Sequence, residues 1–161
     1  MFITLTTDMG LKDYYVATLK GAIYSELPDA KIIDISHNIP PFDITHAAFV
    51  IKNSFKHFPK NTIHVIGIDA EPNDLTRHII VQTQDQYFIG ADNGIFSLIF
   101  DKQPDGVWEI NLKTDGDEYA LFVEIKEPGF DSVIYSTYVD HTEKKKYRLL
   151  EITGSSKIVK D

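Results

Sequence analysis

Two apolar stretches of the chain end on an aspartate, and those two residues bear most directly on chemistry. Phe2-Ile3-Thr4-Leu5-Thr6-Thr7 runs into Asp8-Met9-Gly10, and Thr62-Ile63-His64-Val65-Ile66-Gly67-Ile68 runs into Asp69. Both stretches read as strands. In an open α/β sheet, ligands sit beyond the carboxyl ends of the strands. A carboxylate delivered there can accept from ligand hydroxyls or hold a water, and Gly10 lets the backbone turn beside it. A lone aspartate in this setting is also what a helix start asks for, because its oxygen accepts from the free N–H groups of the first turn. Recurrence of the pattern favours a shared ligand edge over two separate caps.

Helices must cover such strands. Tyr15, Val16, Leu19, Ile23 and Leu27 recur at helical spacing before Pro28-Asp29 stops the run. Lys31 to Ser36 predicts a short buried strand, and Asn38-Ile39-Pro40-Pro41-Phe42 a loop stiffened by proline. Asp43 caps a second predicted helix, whose stripe of Ile44, Ala47, Ala48, Ile51, Phe55 and Phe58 ends at Pro59. Strand alternating with helix implies parallel strands joined by right-handed crossovers. The fold class is therefore α/β: a three-layer domain with a mainly parallel sheet over residues 1–112. Within it, His78 to Thr83 and Tyr87 to Gly90 predict an antiparallel hairpin at the sheet edge. Asp92-Asn93-Gly94 then introduces a short helix, Ile95 to Phe100, and Val107 to Leu112 a last strand. A turn-rich junction at Thr114-Asp115-Gly116-Asp117 precedes three predicted strands, 119–125, 132–139 and 147–152, which form a small β appendage at 113–161.

At 161 residues with 43% hydrophobic side chains, the chain can build one good core. Its formal net charge of -8 argues against nucleic acid as a partner, since phosphate binding needs clustered cations. Lys144-Lys145-Lys146 and Arg148, flanked by Glu143 and Glu151, read as a solvated turn. There is no cysteine to act as nucleophile or zinc ligand. The six histidines lack ligand spacing, and neither a phosphate loop nor a Gly-x-Ser-x-Gly turn is present. No metal and no bound cofactor is expected. Without a leader pattern or a long apolar run, the expectation is a soluble, cytoplasmic protein with no membrane partner.

The ordered set Thr7-Asp8-Met9-Gly10, Lys12-Asp13-Tyr14-Tyr15, Asp34-Ile35-Ser36-His37-Asn38-Ile39-Pro40-Pro41-Phe42-Asp43-Ile44, Ile68-Asp69 and Gly90-Ala91-Asp92-Asn93-Gly94 resembles the S-adenosyl-L-methionine hydroxide adenosyltransferase family, relatives of the fluorinating and chlorinating enzymes. The likeness spans residues 2 to about 112. It implies an enzyme, assembled as a homotrimer, that splits S-adenosyl-L-methionine into adenosine and L-methionine by attack of water or hydroxide on the ribose 5′ carbon. On this likeness Asp8 accepts the two ribose hydroxyls. Asp13 faces the methionine ammonium, or is simply an acid favoured by the helix dipole. Phe42 lies against sugar and sulfonium, or packs under the proline loop. Asn93 falls among the substrate-binding residues. Asp69 is the carboxylate of an Asp–Arg–His set that positions the water.

The chain also departs from the family pattern. After Asp69 it reads Ala70-Glu71-Pro72-Asn73-Asp74-Leu75-Thr76-Arg77-His78 where the family has a Pro-Gly-Val-Gly-type loop. The catalytic arginine's place falls on Thr76, and Arg77 matches the neighbouring arginine. No His-Gly-Arg-Asp-type motif occurs between Ser97 and Asp131. His78 and His141 are the conceivable stand-ins, each otherwise read as a surface histidine. His64 reads as packed or edge-exposed, and His37 as either lining the site or bonding within its loop. The family's C-terminal β domain, which supplies adenine contacts, is matched only by the faint likeness of Val133 to Asp140 to its opening strand. The alternative function is accordingly a catalytically inactive module that binds adenosine or S-adenosyl-L-methionine, or an assembly subunit.

Overall fold

In the computed structural model, residues 1–70 and 77–110 are described in full, and residues 112–114 and 147–149 as backbone. The chain runs β1 (Phe2–Thr7), α1 (Tyr15–Glu26), β2 (Lys31–Ser36), α2 (Ile44–Ser54), a 3-10 turn Phe55–His57, β3 (Ile63–Gly67), β4 (His78–Thr83), β5 (Gln86–Ala91), α3 (Ile95–Ile99) and β6 (Gly106–Ile110). Six strands form one sheet in the order β2-β1-β3-β5-β4-β6. The β1–β2, β1–β3 and β3–β5 pairs are parallel, and β4 runs antiparallel to both β5 and β6.

Two apolar clusters make the core, one on each face of the sheet. Leu19 and Ile23 of α1 pack on Ile3, Leu5, Ile63, Val65 and Ile89. Ala47, Ala48 and Ile51 of α2, with Ile95, Phe96 and Ile99 of α3, pack on Ile66, Ile79, Val81 and Phe88. Successive strand residues point to opposite faces, so β3, β4, β5 and β6 serve both clusters, whereas β1 and β2 give apolar side chains to the first alone. The result is the three-layer α/β domain with a mainly parallel sheet. Asp43 caps α2 as expected, its Oδ1 accepting from His46 N at 2.9 Å.

Three expectations are corrected. β2 is an edge strand with an exposed-to-intermediate burial pattern, not a buried one, because no strand among the described residues pairs with its outer side. The β4–β5 hairpin is not at the edge: β5 inserts beside β3 and β6 takes the rim. Close approach helps explain that insertion. A Cβ on Gly90 would meet Ile66 O at 2.9 Å, so the β3–β5 pairing needs glycine there. The last strand stops at Ile110, and Leu112–Thr114 (β7) instead pairs antiparallel with Tyr147–Leu149 (β8) in a separate ladder. The strands expected at 119–125 and 132–139 lie outside the described residues.

Candidate functional site

The chain order creates the site. α1 carries the chain from β1 to β2 on one side, and α2, on the opposite face, carries it back past β1 to β3 on the other. The strand order therefore reverses at β1–β3, the switch point where open α/β sheets bind ligands. Thr7 pairs with Gly67 across that junction. Neighbouring strands lie about 4.8 Å apart, so Asp8 and Asp69, one and two residues further on, share one rim.

Asp8 sits in a tightly held turn. Gly10, at φ +72°, donates its N–H to His37 O at 2.7 Å, and Asp8 Oδ2 accepts from Phe42 N at 3.0 Å. Beneath it runs a chain of polar contacts, buried at Thr7 and His37. Met9 N–H reaches Thr7 Oγ1 at 3.4 Å, and Thr7 Oγ1 lies 2.7 Å from His37 Nδ1. His37 Nε2 is 3.1 Å from Asp34 Oδ1, an ion-pair distance at an angle outside hydrogen-bond geometry. Asp34 Oδ2 accepts from Lys20 Nζ at 2.6 Å. Asp34 draws the ring proton to Nε2, leaving Nδ1 to accept the Thr7 hydroxyl. Burial alone would raise the Asp34 carboxyl, but Lys20 and His37 outweigh it and hold it below its ordinary value. Asp, His and Thr have the composition of a nucleophilic triad, yet Thr7 is only 1% exposed and no substrate reaches its hydroxyl. The chain is scaffolding for the Asp8 turn. His37, left open between lining and bonding, is 2% exposed and does the bonding.

Phe42 is 66% exposed with φ +63°, so it does not pack under the proline loop; Ile39 fills that place. A bulky residue in left-handed backbone is an outlier, and here it turns an apolar ring out beside Asp8. Asp13 is exposed two residues before the first helical residue of α1, which has no side-chain cap and no acid in its first turn.

Asp69 is exposed and also left-handed, at φ +46°. Its neighbours are pinned. Asn93 Nδ2 donates to Ile68 O at 3.0 Å while its Oδ1 accepts from Ile95 N at 3.2 Å, so both ends of that amide serve the backbone. His78 Nε2 lies 3.2 Å from Ala70 O. At 1% exposure His78 is a buried residue, correcting its reading as a surface histidine, and burial pushes its pKa down. Arg77 stands at the same rim, where β4 begins, but its guanidinium is taken by Asp92 at 2.7 Å and Glu109 at 3.6 Å. Among the described residues no cation pairs with Asp69. His64 is packed: its Nδ1 lies 2.7 Å from Thr4 Oγ1, its Nε2 3.1 Å from Gln86 Oε1, and its ring stacks on Phe88.

The rim thus assembles Asp8, Phe42, Asp69 and Asn93, while Asp13 stays on the outer turn and Arg77 is held towards β6. The sequence reading missed the supporting roles of Thr7 and His78 and left that of His37 open. Their one signal was position: each stands at a strand end on the ligand side. Among the described residues no three His, Asp or Glu side chains gather closely enough to hold a metal ion, and no helix is long and apolar enough to cross a membrane.

Fold and rim define an α/β protein of mainly parallel sheet with two carboxylates at its switch point. Residues 3–125 match the model of the SAM hydroxide adenosyltransferase N-terminal domain, and the chain belongs to that family. The (R)-S-adenosyl-L-methionine hydrolase of Methanocaldococcus jannaschii is 40% identical over 122 residues, covering 73% of this chain and 45% of that protein. That of Salinispora arenicola is 32% identical over 94 residues, 58% of this chain and 36% of its own. The fluorinase of Nocardia brasiliensis is 36% identical over 61 residues, 38% of this chain and 20% of its own. An uncharacterized conserved protein from Thermotoga maritima superposes with a TM-score of 0.64 at 33% identity, covering 69% of this chain and 43% of that one. The chain spans less than half the length of these relatives.

Proposed function

We propose that the protein hydrolyses S-adenosyl-L-methionine to adenosine and L-methionine. The observation that carries this reading is that Asp8 and Asp69 follow the ends of adjacent parallel strands, at the point where the strand order reverses. Ribose binds at Asp8, whose carboxylate keeps acceptor capacity beyond the one bond from Phe42 N. The Phe42 ring, free of the core, lies along the sugar and its face attracts the positive sulfur. Asp13 takes the methionine ammonium at the outer edge. A water held by Asp69 attacks the ribose 5′ carbon: its oxygen forms the new C–O bond, the C–S bond breaks, and the electron pair neutralises the sulfonium as the thioether of methionine. The water proton passes through Asp69 to solvent. The sulfonium leaves without an acid, so catalysis rests on holding the water in line. Arg77 serves the same rim once its guanidinium turns from Asp92 and Glu109. Leu11, Tyr14 and Phe42 expose apolar surface on this side of the chain, which suits a neighbouring subunit in the proposed homotrimer.

A second reading is favoured by one observation: Arg77, the nearest match to the catalytic arginine, is already paired. On that reading the chain binds adenosine without turnover. Incubation with S-adenosyl-L-methionine and chromatography of adenosine and methionine, alongside calorimetric titration with adenosine, separates the two. Asp69→Ala is expected to abolish adenosine release while leaving adenosine affinity unchanged, the pattern of a contact made in the transition state. Binding without turnover supports the second reading, and neither binding nor turnover refutes both.

A further inference from the structure

Asp69 adopts a left-handed conformation, φ +46°, that a side-chain-bearing residue holds only when its surroundings over-determine it. The surroundings here are two donors from one rigid element. β4 and β5 form a hairpin whose mouth is closed by the His78–Ala91 pair and by Asp92 N donating to Arg77 O at 2.8 Å. From that mouth, Asn93 Nδ2 reaches the carbonyl before Asp69 and His78 Nε2 the carbonyl after it, at 3.0 and 3.2 Å. The strained residue is gripped on both flanks.

A carbonyl only accepts, so His78 must carry its hydrogen on Nε2. Burial favours the neutral ring, consistent with its lowered pKa. At 1% exposure the ring cannot meet a substrate, so it cannot replace a histidine that touches the reacting atoms. It can decide where such atoms are met. Losing the bond to Ala70 would free the turn to relax towards ordinary backbone, moving the Asp69 carboxylate relative to the Asp8 rim.

We propose that His78 is a positioning residue for Asp69, holding through the Ala70 carbonyl the turn that aims the carboxylate at the attacking water. The inference rests on the hydrolase reading. Its test compares the full chain with His78→Phe, which keeps a planar ring without the donor, and His78→Gln, whose amide places an N–H near the Nε2 position. All three are assayed at a temperature where thermal melts show them folded. His78→Phe is expected to lower kcat about tenfold or more while adenosine affinity changes by less than about twofold. His78→Gln is expected to recover most of the loss. A merely structural histidine would lower the melting temperature without this split. Unchanged kcat in His78→Phe, or a loss that His78→Gln does not relieve, overturns the proposal. An inactive parent refutes the hydrolase reading instead, and the clamp is then judged by the Ala70 carbonyl carbon resonance. A resonance displaced in His78→Phe and restored in His78→Gln supports the positioning role, and one identical in all three overturns it.

Discussion

Replacing Asp8 tests the binding half of the site, and the structure sets different costs for its two simplest variants. Asp8 Oδ2 already accepts the Phe42 N–H at 3.0 Å. Two carboxylate oxygens offer about four acceptor positions, so both ribose hydroxyls can still donate to this charged group. Hydrogen bonds to charged groups contribute about 1.5–3 kcal/mol each when water is excluded. Asp8 is half-buried, so water replaces part of what Asp8→Ala removes, and the net loss is about 2–3 kcal/mol. At about 1.4 kcal/mol per factor of ten, adenosine should bind roughly 30- to 150-fold more weakly. Asp8→Asn retains one oxygen, which must face the Phe42 N–H because that group only donates. One ribose hydroxyl can share this oxygen while the other meets an NH2 group, so a loss of roughly tenfold is expected. Calorimetric titration with adenosine and 2′-deoxyadenosine provides the assay. The parent should discriminate against the deoxy ligand, and Asp8→Ala should erase the discrimination. Parental affinity in Asp8→Ala combined with a lower melting temperature would refute the reasoning and leave Asp8 as an anchor for the Phe42 loop.

Three other outcomes are expected. Phe42→Gly should raise stability by about 1 kcal/mol, since glycine adopts φ +63° without strain, while weakening S-adenosyl-L-methionine binding; thermal melts and titration read the two effects separately. Asn93→Ala should cost about 1–3 kcal/mol by leaving Ile68 O and Ile95 N without their partner, and a loss of ligand affinity at unchanged stability in denaturant titrations would instead make Asn93 a ligand contact. Burial lowers the His64 pKa to about 4 against the upward pull of its Gln86 bond. The unfolded chain therefore holds the extra proton between pH ~6.5 and ~4, and stability falls as pH falls through that window, by about 3 kcal/mol in all. Urea titrations of parent and His64→Gln across the window check this, and parallel profiles would refute the burial argument.

The sequence by itself determined the elements and their class. β1, α1, α2 and β3 follow from local periodicity, because which face of a helix or strand is apolar depends only on neighbours in the chain. Alternating strand and helix required parallel pairing, and parallel pairing put Asp8 and Asp69 on one rim. Only the tertiary structure decided what depends on contacts between distant residues. β2 became an edge and β5 an inner strand because strand order is set by the pairing partners, such as Ile66 with Gly90, and not by either strand's own pattern. Phe42 looked equally suited to core or ligand until its left-handed backbone turned the ring outward. His37 and His78 carry no local sign of burial. Thr7 is 30 residues from His37, and the Ala70 carbonyl that His78 meets is 8 residues away, so these hydrogen bonds exist only once the strands have paired. The carboxylates were written in the chain, whereas the conformations that hold them come from partners brought together by folding.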